Sequence, residues 1–343
     1  MSKELSKTLW KMLLPIAIGF AVIIWLFHGE FNPEVFKGFE FSWRMAVALV
    51  AAAVFVVGRD FGLSWRFHII AEGDLSWSRA IKVDLMCAFT SAITPSVVGG
   101  SALAVFYLNR EGINVGRATT LTLTTLFLDE LFFVIFCPIL VLLIPNDELF
   151  GAAQAQTFVS GIQIVFWIVY AGIVIWTAIL FAGIIAKPKA VANMMHKLFS
   201  LKPLRRWQGA IDRTTGNMIE TSEFVKTASR KWWIKVFGAT VVSWFSRYLV
   251  VNALFWGFVP AASGLLVFGR QFVVWVVLMI SPTPGGSGIS EWLFTNYYGD
   301  LIGNVSIALI LALLWRVLSY YVYLIAGCCL LPSYFSKRKT SGK

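Results

Sequence analysis

The chain has 343 residues, 58% of them hydrophobic and 14% charged, with a mean hydropathy of +0.75 and a formal net charge of +11. Soluble domains carry about 25% charged residues and roughly half apolar ones, so the composition excludes a water-soluble fold and leaves no room for a soluble catalytic domain. Cys87, Cys137, Cys328 and Cys329 show neither C-x-x-C spacing nor a neighbouring histidine cluster, which argues against zinc or a redox pair.

Crossing a ~30 Å hydrocarbon core takes about 20 helical residues. Apolar runs of that order predict spans over 10–27, 41–58, 117–144, 158–186, 233–259 and 305–331. The first follows Lys3, Lys7 and Lys11 as a signal peptide would, but no small-residue cleavage site comes after it, so it reads as a retained span. Between the second and third spans an apolar stretch is interrupted at Pro95, Gly99 and Gly100. Its first limb, 83–94, reaches only ~18 Å at 1.5 Å per residue. That is too short to cross, and it predicts a re-entrant hairpin. A second break, with Pro282, Pro284, Gly285, Gly286 and Gly288, separates limbs 264–279 and 289–298 and predicts another hairpin, entering from the opposite side.

With the N-terminus inside, 24 of the 29 basic residues fall on one side, and the positive-inside rule then places both termini in the cytoplasm, at the cytoplasmic (inner) membrane. The segment 187–235 carries eleven basic and three acidic residues. Attraction to anionic phospholipid, at ~1 kcal/mol per basic residue, explains that better than nucleic acid does. The expected architecture is an all-α polytopic membrane protein, a single transmembrane domain over 1–343. It has six transmembrane helices plus two re-entrant helical hairpins in an inverted repeat, approximately 10–144 and 158–331. The outer loop 145–157 joins the repeats, and a large basic cytoplasmic loop spans 187–232.

Six ionisable residues fall in the apolar segments: Asp129, Glu130, Arg247, Arg270, Glu291 and Arg316. Each costs about 2.5–3.5 kcal/mol at mid-bilayer if it faces lipid, so they are expected to pair or to line a hydrated cavity. Glu130 lies 30 residues after Gly100, and Arg316 lies 30 after Gly286. Equivalent spans thus carry opposite charges at equal depth, and Glu130, rather than Asp129, is expected to share a cavity with Arg316. Glu291 and Arg316 lead the candidates; Arg270 is expected closer to the surface, and Arg247 has room to snorkel. Matching Pro/Gly-interrupted segments in inverted halves point to a transport site near the bilayer middle. Arginine forks and helix N-termini there suit a phosphate-bearing or zwitterionic headgroup. The plainer alternative is that the breaks are packing kinks and the charges structural ion pairs.

Ser64-Trp65-Arg66, the Pro95 to Gly100 break, Pro284-Gly285-Gly286-Ser287-Gly288-Ile289-Ser290-Glu291 and Trp315-Arg316-Val317-Leu318-Ser319-Tyr320 together resemble the lysylphosphatidylglycerol synthase transmembrane region family, also called the flippase-like domain family. The resemblance covers most of the chain and implies a membrane domain that moves lipids across the bilayer. Two positions depart from the family pattern: Ser101 stands where an acidic residue is frequent, and Glu130 is followed by Leu131 in place of arginine. Both bear on headgroup identity. The aminoacyl transferase domain of the bifunctional members has no counterpart here, so the chain is not expected to make the lipid itself.

The function expected from these readings is flippase-like translocation of a phospholipid or lipid-linked headgroup. No catalytic role, cofactor or metal is expected, and the partners are membrane lipids and a lipid-synthesis enzyme. The sequence contains no G-x-x-x-x-G-K-[ST], so direct ATP hydrolysis is not expected. An ion-coupled carrier of a small polar solute, a membrane enzyme using Glu130 or Glu291 as base, and a non-transporting scaffold are the competing readings.

Overall fold

The structure, a computed structural model, describes residues 41–94, 99–151, 156–182, 187–200 and 208–335. The predicted first span, Pro95 and both termini lie outside the described residues. The described residues form helices and no strand.

Among the described residues, five helices have the length and apolarity to cross a membrane. The first, α1 (Trp43–Ile70, 28 residues), starts where the Ser42 hydroxyl accepts from the Met45 amide. It continues about three turns past the predicted end at 58. The charged residues that suggested an end, Arg59, Asp60 and Arg66, find partners inside the protein. Next come α2 (Trp77–Ile93, 17 residues) and α3 (Gly99–Arg110, 12 residues), which pack on each other, and then α4 (Val115–Leu143). Asn114 caps α4 by accepting from the Arg117 amide at 2.8 Å. After a single turn, α5 (Asn146–Phe150), the span α6 (Gln156–Phe181) follows.

The basic segment predicted as a loop contains two helices, α7 (Pro188–Phe199) and α8 (Gln208–Thr227), and α8 packs against α4. The span α9 (Arg230–Phe258) begins at a Ser229 cap. The second interrupted region comprises α10 (Gly264–Leu278, 15 residues), the break, α11 (Ile289–Tyr297) and a turn, α12 (Gly299–Ile302). The last span consists of α13 (Val305–Arg316), a π turn over Val317–Tyr321 and α14 (Val322–Phe335).

The closest helix pair is α1 with α9. Between membrane helices lipid is as apolar as leucine, so association relies on close packing of small residues. Here Ala48, Gly58 and Gly62 of α1 oppose Gly257, Ser246 and Ser243 of α9, running antiparallel. A Cβ on Gly62 would lie 2.7 Å from the Ser243 amide nitrogen and 2.8 Å from the Ala239 carbonyl oxygen. Outward faces are apolar and exposed, as at Val50, Val54 and Val57 on α1, Leu142 on α4, and Ile168 and Ile175 on α6. That is the surface a bilayer covers.

Arg270 is held among the ends of α5, α10, α11 and α12. It is 1% exposed and grips Asp300 through both terminal nitrogens, at 2.5 and 2.7 Å. It also donates to the carbonyls of Glu148 and Tyr297, each at 2.8 Å, tying α10 to α5 and to the end of α11. Tyr297 adds a hydrogen bond to the Leu149 carbonyl. Arg270 is a clamp between helix ends.

Two stability tests follow from this packing. Gly62→Val should lower stability in detergent by about 1–3 kcal/mol, whereas Gly238→Ala, which meets nothing within 4 Å, should leave the melting temperature unchanged or raise it. Arg270→Ala strands Asp300 and two carbonyls and should cost about 3 kcal/mol in the same thermal-shift measurement.

Candidate functional site

The second break meets the C-terminal end of α2 inside the protein. The Gly285 amide donates to the Thr94 carbonyl at 3.2 Å, joining the second break to the last turn of α2. Tyr320, in the π turn, donates to the Ala92 carbonyl and accepts from the Ser287 hydroxyl, both at 3.2 Å. Glycine is required at 285: its φ is +56°, and a Cβ would sit 2.3 Å from the Tyr320 ring and 2.8 Å from the Ala92 oxygen.

Gly288, at φ +85°, begins α11. Glu291, three residues on, reaches back to accept from the Gly288 amide and from the Ser290 hydroxyl, each at 2.8 Å. Its other oxygen accepts from Arg316 Nε at 2.8 Å. Arg316 further donates to the Gly285 carbonyl at 3.2 Å and the Ser287 hydroxyl at 3.4 Å, and its guanidinium carbon lies 3.8 Å from the Tyr320 ring centroid. Glu291 is 1% and Arg316 5% exposed. With its charge, donors and ring face all matched, the pair is held by geometry good enough to offset its desolvation.

Beside this junction lies a cavity of about 230 Å³, with walls from α1, α2, α4, α9, α10, the second break and the last span. Its lining carries four arginines, Arg59, Arg66, Arg247 and Arg316, and two aspartates, Asp84 and Asp129. Arg66 bonds Asp129 with both terminal nitrogens, at 2.5 and 3.0 Å, and reaches Thr240 at 3.2 Å. Trp244 Nε1 donates to the same carboxylate at 2.8 Å. Arg59 bonds Asp60 at 2.9 Å and packs 4.2 Å from the Tyr323 ring, whose hydroxyl also donates to Asp60.

Arg247 differs from the other three. Its guanidinium carbon lies 4.7 Å from the Trp244 ring centroid and 4.3 Å from that of Trp275. No carboxylate among the described residues pairs with it, and its buried Nε has no hydrogen-bond partner there. Aromatic faces position a cation without neutralising it, so Arg247 remains available to an anion in the cavity.

Of the residues singled out from the sequence, Arg316, Arg247, Asp129, Gly285 and Gly286 line the cavity, and Glu291 holds Arg316 from behind. Glu130, expected there in preference to Asp129, is not in the wall; its Oε2 is buried without a hydrogen-bond partner among the described residues. One helical step of about 100° separates adjacent residues, and it is Asp129 that faces the arginines. Pro282 and Pro284 belong to the break, Gly288 caps α11, and Gly99 and Gly100 open α3. Sequence reasoning missed Arg59, Arg66 and Asp84: the first two lie past the predicted end of the second span at 58, and Asp84, within the limb 83–94, was not counted among the charges inside the membrane. The available signal was spacing: Arg59, Leu63 and Arg66 lie on one helical face that continues the predicted span.

Residues 12–327 match the family described as "Lysylphosphatidylglycerol synthase TM region". A protein of Archaeoglobus fulgidus named "UPF0104 membrane protein" is 22% identical over 299 residues, covering 84% of this chain and 88% of the relative.

A double-mutant cycle of Arg66→Ala and Asp129→Ala should show coupling of about 1.5 kcal/mol or more in reversible denaturation in detergent. Additive single losses would mean that the two charges are solvated separately.

Proposed function

The chain belongs to the lysylphosphatidylglycerol synthase transmembrane region family, and on that premise we propose that it translocates a phosphate-bearing lipid headgroup across the cytoplasmic membrane. In this reading the headgroup passes through the arginine-lined cavity while the acyl tails stay among the helices. The observation that carries it is Arg247, a cavity arginine positioned by two tryptophans and matched by no carboxylate among the described residues. A planar guanidinium suits the oxygens of a phosphate, and the tryptophans give the same space an apolar wall for the glycerol end of a lipid.

The topology belongs to the same proposal. The limb pairs α2–α3 and α10–α11 act as re-entrant hairpins entering from opposite faces, in two inverted halves, with both termini cytoplasmic. Supporting it are the shortness of α2, α3, α10 and α11 and the direct contact of the second break with the end of α2 through Gly285 and Thr94. Irregular backbone at membrane depth is tolerated where it is buried in protein or lines a cavity. Translocation would then alternate access to the cavity by movement of one half against the other. The basic segment that includes α7 and α8 would hold anionic phospholipid near the cytoplasmic face. The chain would act as a carrier, leaving synthesis of the lipid to a partner enzyme.

The test is leaflet exchange of acyl-labelled phosphatidylglycerol and phosphatidylethanolamine in liposomes containing the purified protein. Arg247→Ala strands no carboxylate, so it should keep the wild-type melting temperature and slow exchange about tenfold, equivalent to ~1.4 kcal/mol of lost headgroup interaction. Arg316→Ala and Glu291→Gln should abolish exchange, with a measurable loss of stability for Arg316→Ala because it strands Glu291. Absence of exchange by wild-type protein would turn the assignment toward a soluble anion.

A further inference from the structure

The charges around the cavity are equal in number, but they are not all matched in contact. Four arginines line or reach it, and four carboxylates stand with them: Asp60, Asp84, Asp129 and Glu291. Three carboxylates are bonded to three of the arginines. The fourth of each kind, Arg247 and Asp84, makes no ion pair among the described residues.

Asp84 lines the cavity from α2 and is 2% exposed, and its Oδ2 is buried without a hydrogen-bond partner among the described residues. The charged groups that act on it are Arg59, Asp60 and Arg66 from α1 and Arg247 from α9. Cys87 stands one turn further along α2, and Tyr323 approaches from α14. From α3, Tyr107 is engaged with Thr90 at 2.6 Å.

With all eight groups ionised the cluster is neutral. An anionic headgroup arriving at Arg247 would leave it with one surplus negative charge in a low-dielectric interior, where such a charge is expensive. The cluster has one group able to remove that charge without breaking an ion pair. Protonating Asp60, Asp129 or Glu291 releases an arginine; protonating Asp84 releases nothing. Oδ2 is buried, and a proton is the smallest cation that can reach it.

We propose that Asp84 is the coupling site for a proton: it takes one up at Oδ2 when an anionic headgroup occupies Arg247, and gives it up when the headgroup leaves. This rests on the translocation reading above. The proton comes from the aqueous phase to which the cavity is open, an O–H bond forms at Oδ2, and the same proton returns to water on the far side. A phosphodiester monoanion with one proton is electroneutral, so transport responds to a pH gradient and is indifferent to membrane potential.

The experiment uses the full-length protein in liposomes with acyl-labelled phosphatidylglycerol. A pH difference of one unit is imposed, the potential is clamped with valinomycin and potassium, and leaflet asymmetry is read with an impermeant reductant. Wild-type protein should enrich the label in the leaflet facing the alkaline side, up to roughly the tenfold limit that one proton per pH unit allows, and changing the clamped potential should not alter it. Asp84→Asn should lose that asymmetry, and Asp84→Glu, which keeps a carboxyl, should retain its direction. Wild-type exchange that ignores the pH gradient, or asymmetry that persists in Asp84→Asn, overturns the coupling and leaves translocation standing. If Asp84→Asn gives no exchange at all, Asp84→Glu decides: a gradient response supports the proposal, and its loss overturns it. No wild-type exchange of the probe under any gradient overturns translocation of this lipid class along with the coupling.

Discussion

A charge facing hydrocarbon costs several kcal/mol, and in this protein the cost is avoided by turning guanidinium and carboxylate groups toward each other across helix boundaries. Arg66 on α1 meets Asp129 on α4, Arg316 on the last span meets Glu291 on α11, and Arg270 on α10 meets Asp300 on α12. Each pair joins elements distant in sequence. Because removing one partner strands the other, these pairs set which helix faces point inward and at what depth. The small-residue contact of α1 with α9 does the complementary work: Gly62 lets the backbones approach closely enough for Arg66 to reach Thr240 as well as Asp129.

The interrupted backbone depends on the same pairing. An unwound segment exposes amides and carbonyls that lipid cannot satisfy. In the second break these groups are taken up by Thr94, by Arg316 through the Gly285 carbonyl, and by Glu291 through the Gly288 amide. Glu291 therefore acts twice, as counter-ion to Arg316 and as the residue that reaches back to the start of its own helix. The π turn after Arg316 carries Tyr320 into the junction, where its ring covers Arg316 and its hydroxyl links Ser287 to Ala92. Such turns recur at functional sites because they shift the helical register locally without ending the helix.

The cavity is thus amphiphilic by construction. Ion pairs hold three of its arginines, while tryptophan rings hold Arg247. The distinction matters chemically, because a guanidinium bound to a carboxylate has already spent its best acceptor, whereas one held by ring faces keeps its donors for a ligand. Asp84 is the acidic counterpart, retained in the wall without a bonded cation among the described residues.

Composition marked the chain as a membrane protein, since no soluble core tolerates this hydropathy, and apolar run lengths predicted helices and located all five spans found among the described residues. The second Pro/Gly break was legible for a similar reason: prolines and paired glycines inside an apolar run have few other uses. The inward charges were legible as a set, because an ionisable residue in such a run must have a partner. Which residues pair was decided only by tertiary structure. Asp129 and Glu130 are neighbours in sequence, and nothing local says which faces the arginines; the packing of α4 on α1 chose Asp129. Arg59 and Arg66 looked like loop residues because a span was assumed to stop at its first charges. The helix continues because partners from α4, α9 and α14 make those charges affordable inside, and no sequence window around residue 60 contains them.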